Sequence, residues 1–341
     1  MAKAREIEGL DCHAPAPAGM RLVLLTRLDE MCSLRTAALD WTHMDGVHDM
    51  RVASRRLRTT LKDFQPFLAE KIQQRKLREV ARALGAVRDE DVAIAALEKL
   101  TPEVPEEARD GLNRIIAERR WFRDGAREVL EEEIREASIE RLRQKLKFAI
   151  ERATRSPSPV APQGYNNNSR FNVDSFRTVG RKIILNGLGE LLELGESLYR
   201  PFKIEPLHTM RIAAKRLRYA MELFTTCWGD SLHALSVEVA GMQEFLGDLH
   251  DSDVWIEGFG MRLKGRGEIR EGVGEAAAGT REATTWLLQH FTKERTKHYR
   301  HALAQWLEWE KTGFRSRLIE TLSREPERTP DETQSTVSIV S

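Results

Sequence analysis

An all-α fold of two similar helical halves is the class this sequence predicts, on three observations. Almost every long segment repeats its apolar residues with a helical period, and alternating β-branched runs are nearly absent. A phrase, Val47-His48-Asp49-Met50-Arg51-Val52-Ala53-Ser54-Arg55-Arg56-Leu57-Arg58, returns as Leu207-His208-Thr209-Met210-Arg211-Ile212-Ala213-Ala214-Lys215-Arg216-Leu217-Arg218, with seven of twelve positions identical. A second phrase follows each copy, Leu84-Gly85-Ala86-Val87-Arg88-Asp89 and then Leu246-Gly247-Asp248-Leu249-His250-Asp251. Two phrases recurring in order about 160 residues apart indicate an internal duplication.

Along the chain, residues 20–41 carry the first helical stripe and 47–68 the second, with Pro66 near its end. Residues 72–100 hold the Leu-Gly phrase, 105–133 open at Pro105 and form a long helix, and 137–153 form another. Pro, Ser, Gly and Asn then accumulate, which marks a linker. Helices resume over 173–199, 207–226 and 233–256, followed by a Gly-rich interval at 258–279. Residues 280–311 and a last helix ending near Leu322 complete the pattern. The expected division is therefore a first bundle over 17–155, a linker over 156–171, a second bundle over 172–322 and a disordered tail over 323–341. Each bundle is expected to hold four or five helices.

On a helical wheel at about 100° per residue, His48, Arg51, Arg55, Arg58 and Lys62 share one ridge. Met50, Ala53, Leu57, Leu61 and Phe64 lie opposite, as in a helix buried on one side. The second copy repeats the ridge with His208, Arg211, Lys215 and Arg218, but Glu222 stands where the first has Lys62. Solvated helix faces mix signs, because like charges at i,i+4 are destabilising. A stacked ridge of Arg, made twice, fits a polyanion site better, since guanidinium holds phosphate with a planar fork. Each histidine falls in the first turn of its helix, where the dipole disfavours imidazolium. Neutral histidines are expected, either donating to an anion or bonded to a neighbouring group.

Basic and acidic residues number 54 and 53, so an anion site must come from local clustering rather than from overall charge. Cys12, Cys32 and Cys227 have no framework or metal-ligand spacing and suit a reducing compartment. No apolar run approaches the roughly 18 residues of a membrane span. Lys3, Arg5, Glu6 and Glu8 make the first residues unlike a signal peptide. A soluble cytoplasmic protein without membrane contact is expected.

These residues resemble the CHAD family, the conserved-histidine α-helical domains. The family pattern is His-x-x-Arg-x-x-x-Arg-Arg-Leu-Arg on one helix and Leu-Gly-x-x-Arg-Asp on the next, in each of two halves. The likeness covers roughly residues 17–322. It implies two bundles related by a pseudo-two-fold axis, with their His/Arg helices facing across a central basic channel. It also implies non-enzymatic binding of inorganic polyphosphate and association with polyphosphate granules. Carried over by position, His48, Arg51, Arg55, Arg56, Arg58 and Arg88 serve the first half, and His208, Arg211, Lys215, Arg216 and Arg218 the second. Lys62 extends the first ridge. Arg56 and Arg216 turn about 100° away from it and either reach the anion from the flank or anchor acids.

This sequence departs from the pattern at Lys215, which replaces an Arg, and at His250, which stands where the first half has Arg88. Unequal halves are the expectation. A CYTH partner domain would carry Glu-x-Glu-x-Lys, but Glu6-Ile7-Glu8 is followed by Leu10 in place of Lys, so a stand-alone member is expected.

Arg119, Arg120 and Arg295 sit in further basic segments that either line the channel or form solvated faces. Asp89, Asp91, Asp251 and Asp253 could bind Mg²⁺ or Ca²⁺, but suit the orienting of arginines better. Divalent cations carried by the polyanion itself are more plausible than a resident metal, and no cofactor is expected. No P-loop or activated nucleophile is legible, so no enzyme is expected, a phosphohistidine at His48 or His208 being the outside alternative. Nucleic acid is a weaker candidate ligand, because the first ridge holds no stacking aromatic and Tyr219 alone flanks the second.

Overall fold

The computed structural model describes residues 5–43, 45–155, 174–265 and 275–324. Within them helical periodicity becomes helix. Before the linker lie α1 (Ala16–Ser33), α2 (Arg35–Ala38), α3 (Asp45–Phe64), α4 (Arg75–Leu100), α5 (Glu106–Glu133) and α6 (Glu136–Ala153). After it come α7 (Phe176–Glu193), α8 (Ile204–Gly265), α9 (Glu275–Thr312) and α10 (Phe314–Ser323). The fold is all-α, and the described residues contain no strand, only an isolated bridge between Pro15 and Ser175.

The expected first helix divides at Leu34 into α1 and α2. The helices expected at 207–226 and 233–256 form one 62-residue run, broken only at Gly229 (φ 62°, ψ −150°). That conformation is open to glycine and strained for any residue with a Cβ. The chain reverses there, because His208 and His250 come back into contact with ring centroids 4.1 Å apart. The first half makes the same reversal with residues 65–74 between α3 and α4. The Gly-rich interval is also displaced: α8 continues through Gly258 and Gly260 to Gly265. The linker over 156–171 and the tail beyond Arg324 lie outside the described residues.

Two apolar clusters hold the helices, and each draws on both sides of the linker. At the centre of the larger one, the rings of Phe64, Phe176 and Phe224 meet at 4.9 to 6.3 Å. All three are fully buried. Glycines make room for them, since a Cβ on Gly19 or Gly180 would lie 2.5 Å from a ring carbon of Phe176 or Phe224. The second cluster joins Leu97, Leu112 and Ile115 to Phe259, Leu287 and Phe291. There α5 crosses α9 so closely that a Cβ on Gly111 would fall 2.0 Å from the Gly279 carbonyl oxygen.

The reading of three unpaired cysteines is corrected. Cys12 and Cys227, with Cα atoms 5.6 Å apart, form a disulfide, and Cys32 stays free. The segment before α1 pairs with the start of α7, through Ala16 N–H to Asp174 O and Phe176 N–H to Ala14 O. Cys12 is thereby carried to the end of the first arm of α8, a proximity that spacing along the sequence cannot reveal. Among the described residues no helix is long and apolar enough to cross a membrane.

Replacement of Phe224 by Ala is expected to cost about 3–5 kcal/mol, as for large buried aromatics. Because the cores are shared, urea unfolding followed by far-UV dichroism and by tryptophan fluorescence should remain one coincident transition. Separate transitions for two halves would contradict the shared core.

Candidate functional site

The two repeated phrases interlock. Arg51, from the first phrase, crosses α4 at Gly85, its Nε 3.8 Å from where a Cβ would stand, an ordinary contact distance. Its Nη2 donates to Asp89 Oδ1 at 2.9 Å. In the second half Arg211 passes Gly247 in the same way, its Nε 3.9 Å from the ideal Cβ position. Asp251 is the foremost charge favouring that guanidinium. Leu84 and Leu246 anchor the phrases from the buried side. The Leu-Gly phrase thus places a leucine anchor in the core and a carboxylate beside the arginine that crosses it.

Across the molecule the two basic ridges face each other. Arg55 Nη1 donates to the Tyr219 hydroxyl at 3.5 Å, a long contact that links α3 to α8. Burial, followed by Arg55, Arg211, Arg51 and Arg58, pushes the Lys215 ammonium down to about 8. Burial and then Arg88 lower His48. His208 and His250 approach Nδ1 to Nδ1 at 3.1 Å. Burial, Arg211, His208 and Lys215 push His250 down to about 4. The expected neutral state is favoured at His48, and His250, which lies in the interior of α8, is held neutral more strongly.

The space between the ridges forms two lobes that share Arg55. One, of about 680 Å³, is lined by Arg55, Arg58, Lys62, Lys71, Arg78, Lys215 and Arg216, and by no carboxylate. Arg58, Lys62, Arg78 and Lys215 form no ion pair among the described residues. The other, of about 480 Å³, is lined by Arg51, Arg55, Arg119, Arg211 and Arg262, together with Asp89, Glu90, Asp251, His250 and an apolar wall.

The halves contribute unequally, for two reasons. The acid-free lobe is walled by Gln65, Lys71, Gln73 and Gln74 of the α3–α4 connection, whose counterpart is the single residue Gly229. In addition, Arg218, the counterpart of Arg58, is only 5% exposed, lies 4.9 Å over the Tyr219 ring, and has Glu222 3.5 Å from its Nε. The exchange of Lys62 for Glu222 therefore withdraws an arginine as well as a lysine.

The two turned-away arginines anchor acids. Arg56 faces Glu30 of α1 at 3.6 Å, and Arg216 bridges Glu190 at 2.6 Å and Asp63 at 3.4 Å, though it still borders the acid-free lobe. Burial, against Arg216, raises the Asp63 carboxyl to about 6. Arg295 lies away from the groove: it donates to Asp253 at 2.5 Å and to Pro201 O at 2.7 Å, tying α9 to the start of α8. Arg120 pairs with Glu98 on the α4–α5 surface at 2.6 Å. Arg119 does reach the second lobe, held by Glu90 at 3.1 Å. Arg88 is half-buried beside His48. The Asp-x-Asp pairs divide, Asp89 and Asp251 facing the groove while Asp91 and Asp253 sit against Arg123 and Arg295. Among the described residues no group of three or more His, Cys, Asp or Glu is placed to hold a metal ion.

Sequence reasoning missed Lys71, Arg78, Trp255 and Arg262. The basic run Lys71, Arg75, Lys76, Arg78 preceding the Leu-Gly phrase was a usable signal for the first pair. Nothing local marked the second, which the folding of α8 against α5 brings to the groove.

The family model for the CHAD domain matches residues 23–259, more than two-thirds of the chain. The chain belongs to the CHAD family. Its fold is similar to the crystal structure of the CHAD domain from the plant Ricinus communis, at 22% identity and a TM-score of 0.67 over 88% of this chain and 94% of that one. It is also similar to PptA from Streptomyces chartreusis, at 14% identity and a TM-score of 0.57 over 86% and 100%. A sequence search of curated proteins gives no match. Within this CHAD fold the motif helices are α3 and the first arm of α8.

The His250 titration is directly testable. Its imidazole proton signals should move with a midpoint near 4. Lys215→Ala or Arg211→Ala should raise that midpoint, because each removes a cation that opposes protonation. No movement in either variant would show that neither cation contributes to the shift.

Proposed function

We propose that this CHAD protein is a non-enzymatic binding module for inorganic polyphosphate. The observation that carries the reading is the acid-free lobe, where six cationic side chains meet without a carboxylate partner among the described residues, beside a seventh, Arg216, that is already paired with Glu190 and Asp63. Charge collected in this way, with a buried lysine forced down to about 8, is charge awaiting a counterion. A linear phosphate chain supplies one at each unit, and every Arg can hold it through charge-assisted hydrogen bonds. The lobe has no aromatic lining, which favours polyphosphate over single-stranded nucleic acid. Divalent cations would arrive with the polyanion. Attachment to polyphosphate granules would follow from the same binding. The Cys12–Cys227 bond removes the cysteine argument for a reducing compartment.

Calorimetric titration with long polyphosphate tests this. Wild type should bind, and affinity should fall by on the order of 10³ between about 50 and 200 mM salt if some six phosphates are held. Arg55→Ala and Arg58→Ala should each weaken binding about tenfold or more. Arg120→Ala should leave it within about twofold, while Arg295→Ala should act on stability. Absence of binding by wild type, or full affinity in an Arg55→Ala/Arg58→Ala variant, would refute the reading.

The pH dependence has a definite sign. Bound phosphate raises the Lys215 pKa above its free value of about 8. Binding should therefore take up a proton above about pH 8, and affinity should decline as pH rises through that value. Below it Lys215 is charged in both states and contributes no slope. Lys215→Met should abolish the uptake, measured as the buffer dependence of the binding heat.

A further inference from the structure

The second lobe is not built for phosphate alone. Its lining mixes charged groups with Val92, Ala93, Ile115 and the rings of Trp255 and Phe259, and such aromatic rings are absent from the acid-free lobe. A phosphate chain gains nothing from such a wall. The Asp251 carboxylate also faces the cavity beside Arg211, and a carboxylate there works against a bare polyanion. At about 480 Å³ the lobe has the size and the mixed lining of a small-molecule site.

Its chemistry is graded from one end to the other. Arg55 and Arg211 come from the facing ridges, and the buried Nε of Arg211 has no hydrogen-bond partner. At the other end Trp255 stacks on Phe259 and Phe291 at 5.2 and 5.0 Å, in nearly parallel planes. The Arg119 guanidinium lies 5.5 Å over the Trp255 ring, and Glu90 holds it there. A cation fixed over an aromatic stack is a platform on which a further planar ring can lie.

The geometry points to a nucleoside oligophosphate as the ligand of this lobe, its phosphates on Arg55 and Arg211 and its base on the Arg119–Trp255 stack. Sugar hydroxyls or an exocyclic amine would donate to Asp251, a contact that polyphosphate cannot make. The assignment rests on the polyphosphate reading, because both ligands use Arg55. The acid-free lobe takes the unbranched chain, and the mixed lobe takes a short chain that ends in a nucleoside.

The test compares ATP with tripolyphosphate, two probes of similar charge, by calorimetry on the full chain without divalent metal. Wild type should bind ATP at least about fivefold more tightly than tripolyphosphate, since stacking a base is worth about 1–3 kcal/mol. Arg119→Met keeps the aliphatic stem but loses the cation, and should remove most of that preference. Trp255→Leu should remove it as well, with Asp251→Ala as an exposed-site variant that leaves the core intact. Binding of long polyphosphate should stay within about twofold in Arg119→Met and fall in Arg58→Ala. Equal affinity for the two probes, or a preference that survives Arg119→Met and Asp251→Ala, overturns the assignment. Long polyphosphate bound without any ATP preference sinks this inference alone, whereas ATP bound without polyphosphate sinks the broader reading and leaves the lobe standing.

Discussion

Repulsion across the groove is the constraint on which the rest of the structure depends. Arg51 and Arg55 from one half confront Arg211 and Lys215 from the other, and electrostatics alone would drive these ridges apart. What holds them is the packing behind them. Met50, Ala53 and Leu57 back one ridge, Met210, Ala213 and Leu217 back the other, and all belong to the same cluster. Each fully buried large apolar side chain contributes roughly 1.5–3 kcal/mol. A few such residues on each helix therefore outweigh the opposition of partly solvated cations. The Phe64–Phe176–Phe224 contact thus helps to hold the two basic ridges face to face, although it lies away from the groove.

The same constraint explains the placing of acids. Carboxylates are not excluded from the neighbourhood; they are assigned. Glu30, Glu190, Asp63 and Asp253 each hold an arginine that faces away from the acid-free lobe or borders it, which relieves the field and braces one helix on the next. Asp89 holds Arg51 while leaving it on the groove wall. The near balance of 54 basic and 53 acidic residues therefore coexists with a cavity that is strongly positive.

Legibility in the sequence followed the range of the interaction. Period and repetition are local properties, so the all-α class, the motif helices and the ridge from His48 to Lys62 could be read directly. The turning away of Arg56 and Arg216 was visible on the helical wheel, but their partners Glu30 and Glu190 were not, because those lie on other helices. The departures at Glu222 and His250 signalled unequal halves, and the geometry gives the inequality its form. What could not be read is what tertiary folding creates. The reversal at Gly229, the arrival of Trp255 at the groove and the meeting of Cys12 with Cys227 each join residues that no motif relates. Arg295 shows the opposite error: a basic segment at the right spacing proved to be a brace.

The disulfide between Cys12 and Cys227 also has a topological meaning. It closes a covalent ring that contains the whole linker, so a single cut between residues 155 and 174 would open the ring without dividing the molecule. The two fragments would stay one covalent object, with both ridges still opposed, until the bond was reduced. A polypeptide of this design can be cut in its linker and keep its two basic helices tethered to each other.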